Sequence, residues 1–222
     1  MEIRLETVLG SAEVGLFVLP TDRYVILSKQ VNPSKVKVFR EVLDAEVVQT
    51  SIADSILISP FAAGNSNGIV LSKLVLEEEL AKIKRSLPSV NIACIDSKYT
   101  AVGNLVLCND KGAVVSSLLG KAVAKTVSEV LGVEVVSATI ANRSYVGSLA
   151  VATNVGALVH LDAAEEEIRT LQDVLHVAVE PGTVNGGLLF PRSSIAANSR
   201  GAIVGALTTG PELMTISRVF QR

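Results

Sequence analysis

The sequence predicts an α/β fold: five quasi-identical strand–helix repeats in a closed pseudo-five-fold ring, with the helices outside. Three observations lead there. Turn segments of one pattern recur at a nearly constant spacing along the 222 residues. An amphipathic helix follows every turn at the same distance. The last copy lacks its final strand, and the first residues of the chain resemble the missing piece.

The turns are Thr21-Asp22-Arg23-Tyr24, Asn65-Ser66-Asn67-Gly68, Asn109-Asp110-Lys111-Gly112, Thr153-Asn154-Val155-Gly156 and Asn198-Ser199-Arg200-Gly201, which start 44, 44, 44 and 45 positions apart. Self-similarity at a fixed period of this size marks a repeat architecture. The first position is Thr or Asn in every copy and the fourth is Gly in all but one. Asn, Asp and Gly tolerate the positive φ of tight hairpins, so these residues are expected to serve that geometry.

Aliphatic runs flank each turn, such as Leu105-Val106-Leu107 before and Ala113-Val114-Val115 after. Short apolar runs bounded by turn residues read as buried strands. Beyond them stand Val36, Phe39 and Leu43; Leu80, Ile83 and Leu87; Ala124, Val127 and Leu131; Ile168, Leu171 and Leu175; Leu213, Ile216 and Phe220. Spacing i, i+3, i+7 is one face of a helix. The acidic runs 77–79 and 165–167 are expected to be solvated first turns favoured by the helix dipole. Asp162 with Glu165 fits a capping box.

A closing strand follows each helix, as in Val47-Val48 or Val90-Asn91-Ile92-Ala93. In the fifth copy it would begin just beyond the last residue. Glu2-Ile3-Arg4-Leu5-Glu6-Thr7 aligns with Glu46-Val47-Val48-Gln49-Thr50-Ser51 and is expected to take its place. An open array would need polar capping repeats; closure removes the exposed edges instead. One domain over 1–222 is expected, with repeats at about 14–57, 58–101, 102–145, 146–190 and 191–222, the last closed by strand 2–7. The extra residue in the final spacing falls in or near Gly182-Thr183-Val184-Asn185-Gly186-Gly187.

Composition sets the function classes. Hydrophobic residues make up 49% and charged ones 19%, which excludes a disordered chain. Mean hydropathy is +0.46. The longest stretches free of Asp, Glu, Lys and Arg, 55–72 and 144–161, are 18 residues each and carry turn chemistry inside. A spanning helix needs about 20 apolar residues, so no membrane association is expected. The start Met1-Glu2-Ile3-Arg4 has no basic, then apolar, leader pattern, and a cytoplasmic protein is expected. Net charge is −2, which disfavours a free-standing nucleic-acid binder. Cys94 and Cys108 are too few for a disulfide framework or a four-ligand zinc site. No metal and no cofactor are expected, and no phosphate-cradling GxxxxGK[ST] loop is present.

Ring symmetry points to a binding face. The positions six before each turn are Gly15, Ser59, Gly103, Gly147 and Arg192, and equivalent positions fall on one side of a ring. With Pro60, Asn104 and Ser148 beside them, they are expected to form a nearly uncharged loop face of small residues. Glycine would let a partner backbone come close; its other reading is a turn with positive φ. Asn104 can donate and accept hydrogen bonds.

Five such repeats resemble the pentein fold. Within it, Gly64-Asn65-Ser66-Asn67-Gly68, Val102-Gly103-Asn104 through Cys108-Asn109-Asp110, Val146-Gly147-Ser148, Gly156-Ala157-Leu158-Val159-His160 and Gly182-Thr183-Val184-Asn185 together resemble the translation initiation factor 6 family of ribosome anti-association factors. The resemblance runs from about Ile3 to Phe220. An end at the ring is expected of the compact archaeal form, since eukaryotic members add a tail. The resemblance implies a monomer that binds the intersubunit face of the large ribosomal subunit, on a ribosomal protein near the sarcin–ricin loop, with rRNA a further candidate contact. It implies that the factor blocks the small subunit sterically, acts in large-subunit maturation and initiation, and is released by other factors including a GTPase. It also implies that the Gly103-Asn104 loop faces the ribosomal protein.

Other penteins modify guanidines with a Cys nucleophile, a His base and carboxylates at the axis. That alternative is disfavoured. No Cys follows Cys108, and Cys94 and Cys108 both read as small hydrophobes. His160 reads as a satisfied polar residue near the axis, and His176 as a partner of a helix C-terminus.

Overall fold

The computed structural model describes residues 1–221. Its elements follow the predicted period. β1 (Glu2–Glu6) opens the chain. The first repeat holds β2 (Val18–Pro20), β3 (Tyr24–Ser28), α1 (Pro33–Leu43) and β4 (Glu46–Thr50). The second holds β5 (Ala62–Gly64), β6 (Gly68–Ser72), α2 (Glu77–Ser86) and β7 (Asn91–Ile95). The third holds β8 (Val106–Cys108), β9 (Gly112–Val115), α3 (Gly120–Leu131) and β10 (Glu134–Ser137). The fourth holds β11 (Ala150–Ala152), β12 (Gly156–Val159), α4 (Glu165–Leu175) and β13 (Ala178–Pro181). The fifth holds the one-turn α5 (Pro191–Ser194), β14 (Ile195–Ala197), β15 (Gly201–Gly205) and α6 (Gly210–Phe220).

Each repeat forms one three-stranded sheet. The pre-turn strand pairs antiparallel with the post-turn strand, and the closing strand pairs parallel with it, as in β2–β3–β4. In the fifth sheet the parallel partner of β15 is β1, in register from Glu2 opposite Gly201 to Glu6 opposite Gly205. The N-terminal strand thus completes the last repeat. The five sheets are not hydrogen-bonded into a barrel. The ring closes by packing: β2, β5, β8, β11 and β14 each touch the next, and β14 touches β2 again. Each helix wedges against the sheet of the preceding repeat, α3 on β6 and β7, α1 on β15. Core residues therefore mix neighbouring copies, as where Ala196 and Ile203 of the fifth repeat pack with Phe39 and Leu43 of the first.

The repeated turn residues have a different cause from the expected one. Gly68, Gly112, Gly156 and Gly201 do not have positive φ. A Cβ on Gly112 would lie 1.9 Å from the Val174 carbonyl oxygen, and one on Gly68 2.1 Å from that of Val130. The last turn of the next repeat's helix leaves no room for a side chain. The Asn at the first turn position completes the joint. Its oxygen accepts from the turn's own N–H groups, while Nδ2 of Asn109 donates to the carbonyls of Thr153 (3.0 Å) and Leu175 (2.9 Å) in the next repeat. Asn65 and Asn198 repeat the pattern on Leu131 and Leu43. These bonds satisfy orphan carbonyls at helix ends. In the first copy Tyr24 stands in the Gly position, and its phenol donates to the carbonyls of Asn65 and Gly68.

The acidic helix starts also differ from expectation. The runs are not simply solvated: Glu79 is buried, and its carboxylate accepts from Leu76 N–H and from Ala53 and Asp54 N–H of the preceding repeat (2.9, 2.8 and 3.0 Å). Glu167 does the same with Ala164, Ala141 and Asn142, so the helix start at Ala164 and Glu167 replaces the expected Asp162–Glu165 box. Glu212 takes Thr209, Gly186 and Gly187. The clamped segments contain left-handed residues, such as Ala53 (φ 58°) and Asp54 (φ 52°). A buried acceptor aimed at their N–H groups holds that geometry. The turn at Val184–Leu188 bridges over one residue more than Ile52–Ser55 or Ile140–Arg143, which locates the extra residue of the longer spacing.

Candidate functional site

The loops before β2, β5, β8, β11 and β14 gather on one side of the ring. They are short because each is pinned to its neighbour: Ile58 N–H donates to the Leu16 carbonyl, and Gly147 N–H to the Asn104 carbonyl, both at 2.9 Å. The glycines there do not present themselves to a partner. A Cβ on Gly103 would lie 1.8 Å from the Ser59 oxygen, one on Gly147 2.1 Å from the Gly103 oxygen, and one on Gly15 2.0 Å from the Arg192 oxygen. None has positive φ. Gly15, Ser59, Gly103 and Gly147 are buried, and at the three glycines the loop of the preceding repeat already occupies the space expected to admit a partner backbone. Pro60 is half-buried at the start of its turn.

Arg192 departs from expectation as well. Its side chain turns from the loop face toward the axis, where it lines a small cavity with Cys108. The loop face is left with less charge than the sequence implies.

Asn104 and Ser148 do meet. They line a cleft of about 480 Å³ between the third and fourth repeats, with Lys98, Tyr99, Ala101 and Tyr145. Among the described residues no partner is recorded for the Asn104 carboxamide, the Ser148 hydroxyl or the Tyr99 and Tyr145 phenols. A half-buried amide with both functions open is a recognition element for a peptide group. Lys98 Nζ sits 5.1 Å from the Tyr99 ring centroid. Tyr145 stacks on Phe190 at 6.4 Å, and Phe190 meets His160 edge-on at 6.2 Å. Tyr145, Phe190 and His160 thus form an aromatic row beside the cleft that Tyr99 also lines. Amphipathic rings beside open hydrogen-bonding groups are typical of interface anchors.

The sequence reading missed Tyr99, Tyr145 and Phe190. A signal was present: with only 4% aromatic residues in the chain, three stand immediately ahead of successive loops.

The groups capable of chemistry are committed elsewhere. His160 Nδ1 accepts from Asp162 N–H (3.1 Å), as Ser72 and Ser116 accept from the residue two further on. Arg143 Nη1 lies 3.0 Å from Nε2. Both ring nitrogens face N–H donors, and a neutral imidazole accepts at only one of them, so its one acceptor site is taken and no free nitrogen remains to act as a base. Burial, then Arg143, holds its pKa below the usual value. His176 adopts the left-handed C-cap of α4. Cys108 donates to the Gly64 carbonyl (3.3 Å), and burial pushes its thiol up to about 12. Cys94 is exposed on β7, against the expectation of a buried hydrophobe. Its pKa is raised by burial too, with Lys84 opposing. Neither thiol is activated. No cluster of His, Cys, Asp and Glu fit for a metal ion exists among the described residues, and no helix there is long and apolar enough to cross a membrane.

Comparison with known proteins places the chain within one family. A sequence model of the eIF-6 family matches residues 3–219. The chain is 46% identical over 215 residues to Translation initiation factor 6 of Pyrococcus furiosus, covering 95% of each. It is 45% identical over 216 residues to that of Thermococcus kodakarensis, with 95% of this chain and 94% of the relative covered. With that of Staphylothermus marinus it shares 39% identity over 220 residues, at 98% and 97% coverage.

Proposed function

Since the chain belongs to the eIF-6 family, whose members are non-enzymatic factors of translation initiation, we propose that it binds the large ribosomal subunit through the loop face and blocks the small subunit sterically. The observation that carries this reading is the open carboxamide of Asn104 in the cleft between the third and fourth repeats, flanked by Tyr99 and Tyr145. An extended segment of a ribosomal protein fits such a site: its peptide groups meet Asn104 and Ser148, and its apolar side chains meet the rings. Net charge of −2 favours a basic protein partner over bare RNA, with the Debye length of about 8 Å limiting its reach at cellular salt.

The mechanism needs no moving part. Neighbouring repeats are cross-bonded at both faces of the ring, so a bound factor presents a stiff body where the other subunit would dock. Release then requires other factors, a GTPase among them, and the same occupancy suits late large-subunit maturation. The protein acts in the cytoplasm as a monomer on this reading. Sedimentation with isolated large subunits tests it. The wild-type protein should migrate with the subunits and keep added small subunits from joining. Asn104→Arg should weaken binding at least about tenfold, or about 1.4 kcal/mol, with an unchanged circular dichroism spectrum. A wild-type protein that stays at the top of the gradient ends the anti-association reading; an Asn104→Arg variant that binds normally removes this cleft from the interface.

A further inference from the structure

We propose that the axial cavity beside Arg192 is a binding site for one small monatomic anion, chloride under ordinary conditions. At this loop position four repeats carry Gly15, Ser59, Gly103 and Gly147, and only the fifth carries a cation. Its side chain lines a cavity at the ring axis, together with Leu19 of the first repeat, Ala63 of the second, Leu107 and Cys108 of the third, and Gly147 and Ala152 of the fourth. Residues of every repeat therefore line the one cavity that Arg192 borders. Arg192 is half-buried, and desolvation lowers the pKa of its guanidinium.

No hydrogen bond or ion pair to this guanidinium is recorded among the described residues. The one group acting on it electrostatically is Cys108. With its pKa near 12 that thiol stays protonated at neutral pH and brings no charge. The acids along the axis, Asp22 and Asp110, stand at the turn end, where Asn154 Nδ2 donates to both (2.8 and 2.7 Å), Ser199 N–H to Asp22 and Ser66 N–H to Asp110, and neither forms an ion pair with the guanidinium. An arginine does not discharge by losing its proton, and a partly desolvated charge without an ion-pair partner is unfavourable. Water would meet the donors but leave the charge.

Size selects the ligand. The cavity holds about 20 Å³, room for one water-sized sphere. Phosphate, sulfate and carboxylate groups exceed it. A halide accepts several N–H donors at once, which matches the single fork of donors that Arg192 brings to the cavity. The site is independent of whatever docks on the loop face.

Diffraction from wild-type crystals grown in sodium bromide tests the assignment. An anomalous peak in contact with the Arg192 guanidinium is expected. Bromide found only on the outer surface, with water in the cavity, overturns it. In solution, the wild-type Tm should be about 3–6 °C higher in sodium chloride than in sodium gluconate at matched ionic strength. Arg192→Met should lose that difference, and Arg192→Lys should keep part of it. Equal Tm values in the two salts, or an equal chloride gain in Arg192→Met, would refute the site. The bromide experiment stands even if the methionine variant does not fold.

Discussion

Glu212 shows how one side chain can carry stability. Burial alone would raise its pKa, but N–H donors from Thr209, Gly186 and Gly187 and the Thr183 hydroxyl outweigh burial and hold it at about 2, against an ordinary 4.5. A depressed carboxyl stabilises the fold above its unfolded pKa and loses that contribution as pH falls through the folded one. The gap is worth on the order of 3 kcal/mol at neutral pH. Glu212→Gln should lower Tm at pH 7 by about 6–12 °C. The deficit against wild type should shrink as pH falls below 4.5 and vanish near 2. Thermal unfolding across that range checks it; a constant deficit would mean the charge is not what matters. Composition could not reveal this role. An acid at a helix start reads as solvated, and only the packing of Ala53, Ala141 or Gly186 against it turns Glu79, Glu167 or Glu212 inward.

Elements meet through their ends. Each turn plugs the C-terminus of the next repeat's helix, and Asn and Thr do this unequally. Asn109 bonds across the joint to Thr153 and Leu175, whereas the hydrogen bonds of Thr153 Oγ1 stay within its own turn. Asn109→Ala should cost about 2–4 kcal/mol, because two buried carbonyls lose their donor. Thr153→Ala should cost about 1 kcal/mol. Urea denaturation of both variants measures the difference, and equal costs would show that the cross-repeat bonds contribute nothing. The repeat period, the helix faces and the strand runs were readable from the sequence, since each follows from local spacing of apolar residues. The reason for the turn glycines was not. Positive φ and close approach both call for Gly, and only the neighbouring carbonyl of Val174 or Val219 distinguishes them.

The whole ring depends on its first strand. β15 is fully buried between β14 and β1, and Ile3 packs on the core of the fifth repeat. Deleting residues 1–7 would bare a long hydrophobic edge, a template for pairing with another chain. The truncated protein should lose its cooperative thermal transition at the wild-type Tm and associate with rising concentration. Analytical ultracentrifugation reads the second effect, and a stable monomer would show that closure by β1 is dispensable.

The sequence by itself determined the number of repeats, their order, the amphipathic helices, and the use of the N-terminus to finish the fifth sheet. Each is a consequence of periodicity, which survives in one dimension. It also pointed to Asn104 and Ser148 as neighbours on one face, because symmetry relates equivalent loops. Only the tertiary structure decided which of those loop residues are open. Gly15, Ser59, Gly103 and Gly147 are consumed by repeat-to-repeat contacts, Arg192 turns to the axis, and the rings of Tyr99, Tyr145 and Phe190 come forward. The physical reason is that an inter-repeat joint is made by two segments some 44 residues apart in the chain, and whether a residue faces that joint, the axis or a partner is fixed by what packs opposite it.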